Sequence, residues 1–435
     1  MIEIEQIKDL LKSTRRLFGW NIRNTHQEAY ELYFIRQELD MNRKINSNDL
    51  VVTIFVKNED GMNKSSFTVY PSMDIDDVKD LLNEHIGICR LSSNKEYMLP
   101  RKEQLKPVLN AYGFDNQSDK DIAFLVADAL FEGDKFDNGY INSSEIFIRQ
   151  KQTQYYDSND NYYVYTSRTG EVEFIATWVD EKADKEYELY KNFEFNSLNT
   201  KEIQDIANDV LFQAGERSKA IKMPQVDKIK LLLTGDSVKD YFFNLAKLTK
   251  CDNIYEKTSK VSVGDDLYNG NAKGDRVSIR LEPTLKNSTR GMNFDEEGVA
   301  LRRLVTIDKG IVKNLWGSND KSQYLHKPVH GNYKNIVVEA GTLNDDELED
   351  ENYLEVVSFS DFYIDFVTGD FGSEIRLAYL HLKNKDKQIV TGGSVAGNIY
   401  DSLENVRFSK EVISNNNYVG PKTVLLDKIR VNKGE

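Results

Sequence analysis

Apolar residues recur at helical spacing from the first turn of the chain. Ile4, Ile7, Leu10, Leu11 and Leu17, with charged residues between them, predict a helix. Three runs rich in β-branched and aromatic residues follow and predict strands: Tyr30–Ile35, Leu50–Val56 and Ser66–Tyr70. Asp74 is placed to cap a second helix carrying Ile75, Val78, Leu81, Leu82 and Ile86. Residues 91–118 show no period. Ile122, Leu125, Val126, Ala129 and Leu130 predict a further helix.

From 140 to 196 the pattern becomes strand-like, with Tyr162–Tyr165 and Glu171–Trp178 as its aromatic runs. Asp157-Ser-Asn-Asp-Asn161 reads as the turn of a hairpin. Asn199 and Glu202 form a capping pair for a long helix whose apolar face is Ile203, Ile206, Ala207, Val210, Leu211 and Ala214. A new block opens after residue 222 with a strand over Lys228–Leu233 and a helix over Asp236–Lys250. Short strands and Gly/Asn turns then run to the end, which predicts a large, mostly antiparallel β domain. The fold class is α+β, in three regions: 1–110 (α+β), 111–222 (β-rich with flanking helices) and 223–435 (mostly β).

The 435 residues carry a net charge of −14, which opposes the counterion exchange that duplex binding requires, and no Lys/Arg-rich run offsets it. No nucleic acid is therefore expected as a partner. Two cysteines, Cys89 and Cys251, make neither a disulfide framework nor a four-thiolate zinc site. The polar start is unlike a signal peptide, and no apolar stretch of about 18 residues could span a membrane. The expected address is the cytoplasm, without membrane attachment.

Four blocks in the C-terminal half carry recognisable turn chemistry. Phe294-Asp-Glu-Glu-Gly-Val299 sets an acidic turn with a glycine before an amphipathic strand, and Asp308-Lys-Gly-Ile311 is a hairpin signature. Thr368-Gly-Asp370 and Gly397-Asn398 also read as turns. Their plain role is to shape hairpins of the β domain; the sharper alternative is to line a peptide groove. Thr368, Gly369, Asp370, Phe371, Gly397 and Asn398 are the groove candidates.

Taken in order, Met292–Gly298 with Leu301–Gly310, Val367–Gly372, Gly393–Leu403 and Gly420–Leu426 resemble the diagnostic segments of the TldD/PmbA family, the family once labelled a modulator of DNA gyrase. Active TldD-like members carry a helical His-Glu-x-x-x-His motif just after the strand that opens the third block, and a late cysteine adds a further zinc ligand. Two histidines about one turn apart share a helix face and hold one metal, while the glutamate moves the proton. Here that helix reads Ser237–Thr249, without His or Glu, and no cysteine follows Cys251. The resemblance thus implies a non-catalytic, TldE/PmbA-like member with no catalytic residues and no cofactor of its own. Zinc is expected only in a TldD-like partner. The implied role is to complete a dimer, with that partner or with itself, and to shape the chamber for unfolded peptides, including leader segments of modified peptides.

Other candidate sites are weaker. His326 and His330 stand four apart, but Pro328 lies between them and Gly331-Asn332 follows, so a loop is expected rather than a metal-binding face. The Asp157 segment lacks the sixth-position glycine and twelfth-position glutamate of a calcium loop; Tyr162 and Arg168 stand there. The acidic run from Asn344 to Glu351 reads as a solvated turn or helix start. Two rival functions remain: a self-sufficient hydrolase using Cys251 or the His326/His330 pair, and a homodimeric peptide-binding protein without a protease partner.

Overall fold

The computed structural model describes residues 2–434 except 111–112, 115–116, 227–228, 349–350 and 384. The N-terminal elements are α1 (Ile4–Ser13), β1 (Gly19–Ile35), β2 (Glu38–Asn58), β3 (Gly61–Val69), α2 (Ile75–Cys89), β4 (Val108–Asn110), α3 (Asp119–Glu132), β5 (Gly139–Asp157), β6 (Tyr162–Asp180), β7 (Lys185–Phe195) and α4 (Thr200–Ser218). Their strands form one seven-stranded sheet in the order β3-β2-β1-β5-β6-β4, with β7 also paired to β6. The expected boundary near residue 110 falls inside this sheet, because β1 pairs with β2 on one side and β5 on the other.

The sheet is two-faced, as strand geometry requires. Even-numbered residues, such as Ile22, Leu32, Val52, Ile54, Ile146, Ile148, Val172 and Phe174, face the helices and are buried. Two cores lie on that side. One packs α1 and α2 against β1–β3; the other packs α3 and α4 against β1, β5 and β6. The opposite, odd-numbered face carries Arg23, Thr25, Gln27, Lys151 and Thr153.

Local signals behave as expected at the caps. Asp74 accepts the N–H groups of Asp76 and Asp77, and Asn199 accepts that of Glu202. Asp157 Oδ1 accepts the N–H groups of Asn159 at 2.8 Å and Asn161 at 3.1 Å, closing the β5–β6 turn. Leu17 lies outside α1, which ends at Ser13 with Thr14 as its cap; it reaches the same core from the connecting turn.

The C-terminal elements are β8 (Ile221–Lys222), β9 (Ile229–Leu233), α5 (Asp236–Lys247), α6 (Cys251–Tyr255), β10 (Ile279–Glu282), β11 (Leu304–Asp308), β12 (Ile311–Val312), α7 (Asn319–Tyr324), β13 (Asn335–Val338), α8 (Asp345–Leu348), β14 (Tyr353–Phe359), β15 (Tyr363–Ile364), β16 (Asp370–His381), β17 (Gln388–Thr391), β18 (Ser394–Asn398), α9 (Ile399–Ser402), β19 (Arg407–Phe408), β20 (Val412–Asn415), β21 (Tyr418–Pro421) and β22 (Val424–Asn432). They build a six-stranded sheet, β12-β11-β10-β13-β21-β20, and a nine-stranded one, β14-β9-β22-β18-β16-β17-β8 with β15 paired to β16 and β19 to β22, which closes a circuit because β14 also pairs with β16. Most pairs are antiparallel, but β9–β14, β13–β21 and β8–β17 are parallel. Of the strand expected over Lys228–Leu233, Lys228 lies outside the described residues, as do Glu349 and Asp350 of the acidic run. The rest of that run starts α8, with the Asn344 N–H donating to Glu347 at 2.8 Å.

Two expectations are corrected. The helix expected to reach Lys250 ends at Lys247, and Cys251 then opens α6 instead of trailing a helix. Gly397 is not in a turn: it pairs with Phe371 inside the β16–β18 ladder. A glycine is needed there because a Cβ would stand 2.8 Å from the Phe371 ring and 2.6 Å from Ile429. The β11–β12 hairpin is as expected, with Lys309 at φ 48° and Gly310 at φ 78°.

Candidate peptide groove

The loop from Pro283 to Leu301, between β10 and β11, leans on the polar face of the N-terminal sheet. Its anchors are hydrogen bonds donated by asparagine amides, with Asn196 Oδ1 and Asn293 Oδ1 left buried without a partner among the described residues. Asn196 Nδ2 donates to Asn110 Oδ1 at 2.6 Å and to the carbonyls of Lys286 and Ser288 at 2.9 Å. Asn110 Nδ2 donates to the Ser288 carbonyl at 2.8 Å. Further along, Asn293 Nδ2 donates to the Lys106 carbonyl at 2.8 Å, and Arg290 and Thr289 both contact Glu194.

The acidic turn closes the loop. Asp295 is 3% exposed, and its carboxylate is fully engaged. Oδ1 accepts the N–H groups of Glu297 at 3.0 Å and Val299 at 2.9 Å, and Oδ2 accepts that of Asn332 at 3.0 Å. Burial nevertheless pushes its carboxyl up to about 6, against the pull of those donors. The Tyr155 hydroxyl donates to the Glu297 carbonyl at 2.8 Å, and Glu297 itself holds Lys64 at 2.9 Å.

Two hollows flank this loop and share Arg290, Met292, Phe294, Asp295, Glu296 and Lys334. The first, about 680 Å³, has the polar sheet face as its floor: Arg23, Thr25, Arg149, Lys151, Thr153 and Ser167 among others. The second, about 590 Å³, is more apolar, with Phe243, Leu301, Trp316, Tyr333 and Phe366 beside Lys247, Lys250 and Asn253. Together they make a groove between the sheet and the C-terminal block, of the size and mixed lining that suits an extended chain or a small ligand.

Charge in the groove runs against that of the molecule. Seven cationic and five acidic side chains line the two hollows, whereas the whole chain has 57 Lys and Arg against 71 Asp and Glu. Arg149 pairs with Glu171, Arg290 with Glu194, and Lys334 with Glu296 at 3.3 Å. Burial works against the Glu171 carboxylate, but hydrogen bonds from Arg149 and Asn192 hold it below the usual range. Arg23, Lys151, Lys247 and Lys250 have no carboxylate within ion-pair distance among the described residues; Lys250 lies 5.5 Å from the centre of the Trp316 ring. Burial, then Arg149, Lys334 and Arg23, push the Lys151 ammonium below its ordinary value.

The groove candidates drawn from sequence come together elsewhere. Asn398 Nδ2 donates to the Thr368 carbonyl and to Asp370 Oδ1, both at 2.8 Å, and Phe371 pairs with Gly397. Gly369 takes φ 79° in the turn between β15 and β16. None of the six lines either hollow, although Phe366 in the same loop does. His326 sits at φ 54° after α7, and His330 is pushed below its ordinary value by burial; neither lines the groove. Cys251 is fully buried, with its thiol pushed up by that burial.

The site that catalytic relatives would use for zinc does not fit a metal here. α5 buries Val238, Tyr241, Phe242 and Leu245, and Phe243, Lys247, Lys250 and Asn253 are what this segment adds to the hollow. Ammonium groups and a phenyl ring are not ligands, and both oxygens of Asp295 are already taken. Among the described residues, no group of three or more His, Cys, Asp or Glu side chains is close enough to hold a metal ion. Among the described residues no helix is long and apolar enough to cross a membrane.

A helix-backed sheet facing a β-rich block across a polar groove is an α+β architecture shared with known structures. Residues 227–433 match the PmbA/TldA metallopeptidase C-terminal domain. TldE from Thermococcus kodakarensis superposes with a TM-score of 0.76 at 14% identity, over 99% of this chain and 100% of that one. A candidate modulator of a DNA gyrase from Thermotoga maritima gives 0.76 at 14% over 99% and 100%, and one from Bacteroides thetaiotaomicron gives 0.77 at 16% over 100% of both chains. No curated protein matches. Residues 227–433 thus carry the C-terminal domain of the TldD/PmbA family, and over its whole length the chain has the fold of these structures.

Proposed function

We propose that this chain is the non-catalytic, TldE/PmbA-like subunit of a TldD/TldE-type zinc metallopeptidase of the cytoplasm, acting on unfolded peptides. The observation that carries the reading is the groove itself. It is large, open and lined by both polar and apolar side chains, yet it has no nucleophile paired with a base and no metal-ligand set. Such a surface binds a chain without cutting it. Hydrolysis then falls to a partner with the His-Glu-x-x-x-His motif, and this subunit holds substrate and completes the chamber.

Light scattering across a dilution series, alone and with a TldD-like chain, tests the subunit role. A mass of one copy of each chain is expected on mixing. A mass of one chain at every concentration, unchanged by the partner, would remove it. A stable homodimer that ignores the partner would favour a peptide-binding protein without protease function.

A further inference from the structure

The groove is not evenly charged, and its floor says which part of a peptide belongs there. Lys151 and Arg23 rise from β5 and β1 on the polar face of the sheet, and both line the first hollow. Neither has a carboxylate within ion-pair distance among the described residues. The neighbouring cations are already spoken for: Arg149 by Glu171 and Lys334 by Glu296. Asp49, the remaining acidic group of the floor, forms no ion pair with either among the described residues, though it is close enough to attract Lys151. Beside these two cations stand the Ser167 hydroxyl and the Thr25–Thr153 pair, whose hydroxyls share one hydrogen bond at 3.2 Å and leave one O–H to donate to an anion.

Cations gathered without partners are unfavourable, since each repels the others across a partly dehydrated space. Burial, then Arg149, Lys334 and Arg23, push the Lys151 ammonium below its ordinary value, and the opposing pull of Asp49 is smaller. An incoming anion removes the repulsion and supplies the missing charge. A chain with a net charge of −14 that nonetheless keeps unpaired cations in its groove is arranged to accept such a group.

We propose that the first hollow is a carboxylate-anchoring subsite, in which Lys151 and Arg23 bind a carboxylate of the peptide while the apolar second hollow takes its neighbouring side chains. The inference rests on the peptide-groove reading and deepens it: it states which end or which residue type of the substrate is held. A backbone carboxylate at the C-terminus and an Asp or Glu side chain offer the same chemistry. In the β1–β5 register Arg23 lies opposite Tyr155 and Lys151 opposite Gln27, four residues apart with the Thr25–Thr153 pair between them, so a carboxylate over that pair is flanked by the two cations.

Fluorescence anisotropy with three labelled, unstructured peptides of one apolar-polar sequence tests this on the full chain. One has a free C-terminal carboxylate, one a C-terminal amide, and one a C-terminal amide plus an internal Asp. At least one acid-bearing peptide is expected to bind wild type about 10-fold or more tighter than the neutral amide, the usual scale for a partly buried ion pair. Preference for the free terminus alone identifies the end group, and equal preference for the Asp peptide identifies the side chain. In Lys151→Gln that preference is expected to shrink to about twofold or less, while Lys151→Arg keeps it. Equal binding of all three peptides to wild type overturns the anchor and leaves the groove standing. Persistence of the preference in Lys151→Gln also overturns the anchor. No binding of any peptide at millimolar concentration removes the groove reading and the anchor together.

Discussion

The ring of Tyr155 fills the place where a side chain of residue 298 would stand: a Cβ built on Gly298 would lie 2.3 Å from its hydroxyl-bearing carbon. Tyr155 stacks on Tyr163 at 5.8 Å, and Phe294 packs beside both. The acidic turn is thus seated on the sheet by ring contact as well as by the hydrogen bond to Glu297. Gly298 also takes φ 83°, a left-handed conformation that costs other residues energy.

Gly298→Ala therefore meets both penalties and is expected to destabilise the chain by about 2–4 kcal/mol. Tyr155→Phe keeps the ring and loses the bond to the Glu297 carbonyl and the longer one to Asp157 Oδ2 at 3.5 Å, at a cost of about 1 kcal/mol. Urea unfolding midpoints of the two variants measure the difference. An unchanged midpoint in Gly298→Ala would contradict the seating described.

Asp295 gives a pH dependence of definite sign. Its folded-state value of about 6 lies above the ordinary 3.8, so folding takes up a proton between those values. The stability from that proton is fully present below the unfolded value and is lost as pH rises through about 6, a range worth on the order of 3 kcal/mol. Asp295→Asn cannot titrate. Wild type should gain on this variant by about that amount between about pH 7 and about pH 4. A stability difference independent of pH would show that Asp295 is ionised throughout.

The Thr368–Phe371 and Gly397–Asn398 cluster is expected to matter for stability and not for peptide binding. Asn398 accepts the N–H groups of Tyr400 at 2.9 Å and Asp401 at 3.2 Å while donating to Thr368 and Asp370. Asn398→Ala removes this cap and cross-link and should cost about 1–2 kcal/mol. Peptide affinity should stay within about twofold of wild type, because the cluster lines neither hollow. A large loss of affinity without loss of stability would return these residues to the groove.

The helices were legible because their signals are local: Asp74, Asn199 and the apolar stripes of α2, α3 and α4 act within a few residues of themselves. The lengths of β1 and β2 were not. Residues such as Asn24, His26 and Asn46 are too polar to read as strand, and they are held in the ladder by neighbours distant in sequence. For the same reason the sequence suggested a boundary near residue 110 where a single sheet runs through. Motif matching drew attention to Thr368–Asn398, whose chemistry is that of a turn and a cap. The groove floor escaped it: Arg23 and Lys151 are single cations on two strands, brought together only by the β1–β5 pairing. An alternation of Arg23, Thr25 and Gln27 against Arg149, Lys151 and Thr153 was the available signal.

A chain that holds peptide for a partner to cut should be inert alone and should raise the activity of that partner. The most direct measurement is cleavage of an unstructured peptide by the pure chain, by a TldD-like chain with the His-Glu-x-x-x-His motif, and by the two mixed. The account predicts no cleavage by this chain alone and chelator-sensitive cleavage by the mixture, faster than by the partner alone. Sustained cleavage by the pure chain, insensitive to chelator and abolished by Cys251→Ala, would contradict it.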